Sequence, residues 1–356
     1  MPAPMAPEPR SDTRREPTMT HSVHPRLALF DPEESAPPAL PVCDHYCGVE
    51  ARMRKSLVLQ AELGPVFDVT LDNEDGAPVG GEVEQAHLIA ELLASPLNVH
   101  GRVGVRLLAV EHPHFADVAA VVLQSARAPA YLMLPKPGGL ADVQRAAQAI
   151  DALGGATVPL HALVETHGAL REVQALAAHP RIESLSFGLM DFVSAHRGAI
   201  PQTAMGAVEG LGQFDHPLVV RAKLEIAAAC HSFAKVPSHS VFTDFNDSQA
   251  LQAAAERACK QLGYTRMWSI HPSQIQPIVD AFSPSVAELD RAIEIICNAQ
   301  AVQWAPIRHG DTLHDRASYR YFWHVIERAH RTSLGAGIPA ERRLAWFGPG
   351  QATAAT

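Results

Sequence analysis

From about residue 43 onward, short apolar runs alternate with longer, alanine-rich stretches whose apolar residues recur with helical spacing. This is the pattern of repeated strand–helix units. The runs predict strands at Asp44–Cys47, Val66–Leu71, Val103–Leu108, Tyr131–Leu134, Val158–Val164, Ile182–Phe187, Ser240–Phe242 and Met267–Ile270. Between them, Ala141–Leu153, Leu170–His179, Pro217–Phe233 and Ser248–Leu262 predict helices, each ended by Gly, Pro or a loop. Eight strands with intervening helices fit a closed parallel α/β barrel of the TIM (β/α)8 type more naturally than an open sheet. Further on, Ser285–Trp304 and, after a Gly310-Asp311 turn, Ala317–Ala329 predict two more helices. That stretch is too short for an independent domain. The expected division is a proline-rich tail over residues 1–25, a barrel over 26–305 and a C-terminal helical extension over 306–356. The extension should pack on the barrel or reach a neighbouring subunit.

In such barrels chemistry sits at the C-terminal ends of the strands, and here those ends are polar. Val66–Leu71 runs into Asp72-Asn73-Glu74-Asp75, and Val103–Leu108 carries Arg106. Tyr131–Leu134 runs into Pro135-Lys136, Val158–Val164 into Glu165-Thr166, Ile182–Phe187 into Gly188-Leu189-Met190-Asp191, and Met267–Ile270 into His271-Pro272. Six of eight predicted ends therefore bring carboxylates, cations or an imidazole to one face.

Taken in order, Leu71-Asp72-Asn73-Glu74-Asp75, Leu134-Pro135-Lys136, Glu165-Thr166, Phe187-Gly188-Leu189-Met190-Asp191 and Ile270-His271-Pro272-Ser273-Gln274-Ile275 resemble the motifs of the HpcH/HpaI aldolase/citrate lyase family, over about residues 43–330. The resemblance implies that Glu165 and Asp191 are the protein ligands of a divalent metal. The chemistry agrees, because two carboxylates completed by water and substrate oxygens suit Mg²⁺, with Mn²⁺ a substitute; rim salt bridges are the competing reading. It further implies that Glu74 and Asp75 hold metal-bound waters, where a turn or cap role competes. Arg106 matches the family's substrate-binding arginine, whose fork can hold a carboxylate or an enolate oxygen; a structural ion pair competes. Asn73 stands where an apolar residue is usual.

Lys136 is expected to bind substrate or pair with a carboxylate rather than to form a Schiff base. His271 reads as a rim residue that organises the last loop. Gly188, Leu189 and Met190 would offer backbone amides to a substrate carboxylate. Gly310-Asp311-Thr312-Leu313-His314-Asp315 resembles the C-terminal segment of malyl-CoA-type lyases, which implies that Asp315 is an acid/base acting in the next subunit's site; an N-cap of the following helix is the competing role.

Composition narrows the classes. Lys and Arg total 29 against 38 acidic residues, a net charge of −9, which disfavours nucleic-acid partners. Five sparse cysteines do not suit a disulfide scaffold and fit a reducing cytoplasm. The Cys43-Asp44-His45-Tyr46-Cys47 stretch lacks the second pair a zinc site needs. No apolar run is long enough to span a bilayer, and the N-terminus lacks a signal peptide's apolar core. Ten of the first 41 residues are proline, which predicts a mobile tail.

The resemblance thus implies a magnesium-dependent carbon–carbon lyase of a hydroxyacyl-CoA thioester such as malyl-CoA or citramalyl-CoA. Two alternatives stand: a metal-dependent aldolase or decarboxylase of a free 4-hydroxy-2-oxo acid that uses no CoA, and a catalytically inactive barrel with a regulatory or scaffold role. The expected assembly is a homo-oligomer, a trimer or hexamer.

Overall fold

The computed structural model describes residues 23–34 and 36–348, so most of the proline-rich tail lies outside the described residues. Eight parallel strands close into a barrel in sequence order: β1 (Cys43–Cys47), β2 (Phe67–Asp72), β3 (Val103–Arg106), β4 (Leu132–Leu134), β5 (Leu160–Val164), β6 (Ile182–Phe187), β7 (Val236–His239) and β8 (Arg266–Ser269), with β8 pairing back onto β1. Seven of the eight stand where the apolar runs place them. The seventh does not: it precedes Ser240–Phe242. Its sequence, Val-Pro-Ser-His, carries a proline and two buried polar residues, Ser238 and His239, so the apolar signal falls on the residues that follow it.

Side chains alternate across each strand. Phe67, Val69 and Leu71 of β2 point outward into the main apolar core beneath the helices, while Asp68, Thr70 and Asp72 point inward at three successive heights. Low in the barrel, Arg266 pairs with Asp44 at 3.1 Å and Asp68 at 2.6 Å, and Arg102 forks Asp68 at 2.7 and 2.9 Å. Above them Tyr131, Met133, Leu163 and Trp268 form an apolar plug. The top layer is the polar rim.

The expected Leu170–His179 helix is two helices, His167–Arg171 and Val173–Ala178, meeting at Glu172. The Glu172 carboxylate accepts the amide of Leu140, the first residue of the Leu140–Ala152 helix, at 2.8 Å. Beyond the barrel, the Val286–Ala301 helix starts in a Ser285/Glu288 capping box and packs on the Arg316–His330 helix. Between them lies a hairpin of β9 (Ile307–His309) and β10 (Thr312–His314), strands of three residues each, too short to leave a periodic signal. Leu29 from the N-terminal turn joins Ile295, Ile296, Trp323 and Trp346 in a second apolar cluster. Among the described residues no helix is long and apolar enough to cross a membrane.

Candidate active site

Strand register assembles the rim. Asp72 and Arg106 are direct partners across β2 and β3, and Arg106 donates to both Asp72 carboxylate oxygens, at 2.7 and 2.9 Å. The amides of Glu74 and Gly76 donate to the same carboxylate at 2.9 and 2.6 Å. A Cβ on Gly76 would stand 2.4 Å from Asp72 Oδ2, so the turn that aims Asp72 requires glycine there. Burial pushes the Asp72 carboxyl up to about 7, but its fork with Arg106 and its two amides favour the charged form, and it serves as the anionic anchor of the guanidinium. Asn73 turns away from the site and donates to the Glu82 carbonyl at 3.0 Å.

The remaining Arg106 contacts go to Glu74 at 3.1 Å and Asp75 at 3.6 Å, and the guanidinium lies 4.6 Å above the Tyr46 ring, which stacks on Trp268. Burial lowers Arg106 to about 10, still charged at neutral pH.

Lys136 ties the two halves of the rim together. Its ammonium bonds Glu74, and Asp75 at 3.1 Å, while its backbone amide donates to Glu165 Oε1 at 2.7 Å. Its φ of 49° is the left-handed region, strained for lysine, and is held between Pro135 and Pro137. Burial would lower its pKa, but the Glu74 and Asp75 contacts outweigh burial and raise it. An ion-paired, protonated ammonium is a poor Schiff-base nucleophile at neutral pH.

Val164 pairs with Phe187, so the next residues, Glu165 and Gly188, meet at the rim. A Cβ on Gly188 would sit 2.2 Å from Glu165 Oε2, so only glycine leaves room for this carboxylate. Glu165 is 3% exposed; burial first, then the charge of Asp191, push it up to about 7. Burial likewise raises Glu74 to about 7 against the pull of Lys136. Leu189, Met190 and Asp191 open the short Leu189–Ser194 helix, whose first amides lack helical partners.

Five carboxylates, Asp72, Glu74, Asp75, Glu165 and Asp191, therefore gather around two cations, Arg106 and Lys136. A surplus of carboxylates that is buried at Asp72 and Glu165 and open to solvent at Asp75 offers an accessible place for a cation, and the oxygen-only donors Glu165 and Asp191 suit Mg²⁺. Among the described residues no group of three or more His, Cys, Asp or Glu is arranged to hold an ion, so an ion here would draw most of its shell from water and substrate.

Other candidates stand apart from this cluster. Asp315 lies on the extension, where its carboxylate caps the Arg316–His330 helix by accepting the Ala317 amide at 3.0 Å and the Ser318 amide at 3.4 Å. His271 accepts the Ser273 amide at 3.3 Å and stacks on Phe245, organising the last loop. Cys43 and Cys47 pack in the core, and burial pushes both thiols up to about 12, away from metal-binding thiolates. Sequence reasoning passed over two positioning residues. Asp72 was legible as the last inward-facing position of β2, and Tyr46 as the inward position two beyond Asp44.

A family model described as HpcH/HpaI aldolase/citrate lyase matches residues 66–272, more than half of the chain. The L-malyl-CoA/beta-methylmalyl-CoA lyase of Cereibacter sphaeroides is 26% identical over 285 residues, 76% of this chain and 88% of that protein. A (3S)-malyl-CoA thioesterase of the same species is 28% identical over 179 residues, 50% of this chain and 55% of that protein. Among solved structures, a citrate lyase of Burkholderia xenovorans LB400 is 52% identical with a TM-score of 0.78, covering 91% of this chain and 100% of that one. The CitE protein of Mycobacterium tuberculosis, solved with magnesium, acetoacetate and coenzyme A, shares the fold at 21% identity and a TM-score of 0.63, covering 82% of this chain and 98% of that one.

Proposed function

The chain belongs to the HpcH/HpaI aldolase/citrate lyase family and is a carbon–carbon lyase by that membership, and we propose that it cleaves a hydroxyacyl-CoA thioester such as malyl-CoA or citramalyl-CoA with the help of Mg²⁺. The observation that carries this reading is the rim's surplus of carboxylates over cations, centred on the buried Glu165.

Glu165 and Asp191 would hold the ion, which when bound supplies a Lewis acid for the 2-oxo-acid half of the substrate. The chain's own groups do the rest. Glu74 and Asp75, held by Lys136, orient water beside the carboxylates. The amides of Leu189 and Met190 take the carboxylate of the oxo-acid half. Arg106, fixed by Asp72 beneath and Tyr46 alongside, stabilises the enolate oxygen of the thioester half as the carbon–carbon bond breaks. Asp315, contributed by a neighbouring subunit, moves the proton. Relatives named as malyl-CoA lyases support the thioester over a free oxo acid, and the magnesium in the CitE structure supports the ion.

The test is a screen of acyl-CoA thioesters and free 4-hydroxy-2-oxo acids with Mg²⁺, detecting glyoxylate, pyruvate, acyl-CoA and free thiol separately. Glyoxylate or pyruvate released together with an acyl-CoA is the expected result. Cleavage of free oxo acids alone would make the protein a CoA-independent aldolase. Thiol release without an oxo acid would make it a thioesterase, and no turnover of either class would leave a regulatory barrel. Assembly has its own test: once subunit exchange is shown by native mass spectrometry, mixing inactive Asp191→Ala and Asp315→Ala proteins should restore partial activity. Mixed oligomers without activity would return Asp315 to its role as a helix cap.

A further inference from the structure

The opposite end of the barrel carries the reverse imbalance. Between the barrel floor and the last turns of the Arg316–His330 helix lies a cavity of about 280 Å³. Lys235 reaches it from just before β7, Arg26 from the N-terminal turn, and Arg328 and Arg331 from the helix end. Glu327 is the one carboxylate on its wall, and both its oxygens are engaged, one by Arg26 at 3.1 Å and the other by His324 at 3.0 Å. Lys235, Arg328 and Arg331 have no ion pair among the described residues; Arg328 donates from one terminal nitrogen to Cys259 Sγ at 3.9 Å, and its Nε is buried without a hydrogen-bond partner there. The helix dipole accounts for basic residues in the last turn of a helix. It accounts for neither Lys235 nor Arg26. In a chain of net charge −9, four permanent cations around one occupied carboxylate are not a background feature.

Arg26, Lys235, Arg328 and Arg331 are half-buried, the Arg328 Nε fully so, and cations drawn out of water are ordinarily paired or liganded because leaving them unpaired is costly. Burial lowers the pKa of both Lys235 and Arg331, outweighing the opposing charge of Glu183 on the first and of Glu327 on the second. From the cavity and its surplus of guanidinium and ammonium groups, we propose that the barrel floor is a binding site for a small, multiply charged phosphate anion. Guanidinium forks match phosphate oxygens in pairs, and the cavity's volume admits one or two phosphoryl groups rather than a nucleotide. Such an anion would clamp the Arg316–His330 helix, which Asp315 caps, to the floor of the barrel. This inference does not rest on the proposed reaction.

Calorimetry of the full-length protein with sodium pyrophosphate, at fixed ionic strength in metal-free buffer, tests it. Saturable binding of one anion per chain is expected. Lys235→Gln and Arg331→Gln should each weaken it at least about tenfold, the loss of one charge-assisted contact, while Arg106→Ala at the rim leaves it unchanged. Should Arg331→Gln fail to fold, Lys235→Gln, at a half-buried position outside the strand, carries the test. Absence of saturable binding overturns the proposal, as does binding lost in Arg106→Ala but kept in Lys235→Gln. A changed oligomeric state in the floor variants without pyrophosphate binding would assign these cations to a subunit contact instead.

Discussion

Two charged layers are stacked inside one barrel, separated by the apolar plug of Tyr131, Met133, Leu163 and Trp268. In the lower layer Arg266 and Arg102 meet Asp44 and Asp68, two cations for two anions. Asp44, Asp68 and Arg266 are each at most 1% exposed. The upper layer sets two cations against five carboxylates and opens to the rim. Ionised groups can be sealed away when their charges cancel. The upper layer stays short of balance and displays its deficit where a ligand can enter. Charge within the barrel does not by itself identify a site; uncancelled charge does.

Removing the deficit's centre should have the largest effect. Glu165→Ala or Asp191→Ala is expected to lower turnover by at least about 10³-fold, the loss of several kcal/mol of transition-state stabilisation, and to abolish Mg²⁺ binding in calorimetry. Asp191 is half-buried, so its loss should shift thermal unfolding little, whereas Glu165→Ala also leaves the Lys136 amide without its acceptor and should lower it; unchanged activity in either variant would sink the metal assignment.

The lower layer should answer in stability instead. Arg266→Met strands Asp44 and half of the Asp68 pairing out of water, and urea denaturation should show a loss of about 3–5 kcal/mol. The Mg²⁺ affinity of the folded fraction should not change. If affinity fell along with stability, the two layers would be coupled through the plug and the contrast drawn between them would fail.

The smallest effect is on pH. Glu165 has its folded pKa raised from 4.5 to about 7. Its contribution to metal-free stability is therefore fully present below about 4.5 and is lost as pH rises through about 7. An ion binds the charged form, so Mg²⁺ affinity should rise by up to about tenfold per pH unit below 7 and then level off. Melting curves with and without Mg²⁺ from pH 5.5 to 8.5 read this directly. A Mg²⁺ shift that is flat with pH would mean that Glu165 is already ionised in the metal-free protein.

The one-dimensional pattern determined the barrel, because apolar outward faces leave a trace in seven of the eight strands, and that many traces alternating with helices admit few other folds. It also determined the rim residues, since the C-terminal end of a strand can be found once the strand is found. It failed at β7, where Pro237, Ser238 and His239 fill a strand that no hydrophobic run announces, and at the β9–β10 hairpin, whose strands are too short to repeat. Only the tertiary structure decided which charges meet. The register of β2 on β3 sets Asp72 against Arg106, that of β5 on β6 sets Glu165 against Gly188, and a left-handed Lys136 spans both halves of the rim. These pairings join residues 23 to 62 positions apart in sequence, such as Glu165 with Gly188 and Lys136 with Glu74. Periodicity reports which face a residue occupies, whereas the charge balance of a layer is a sum over neighbouring strands and exists only once they have closed.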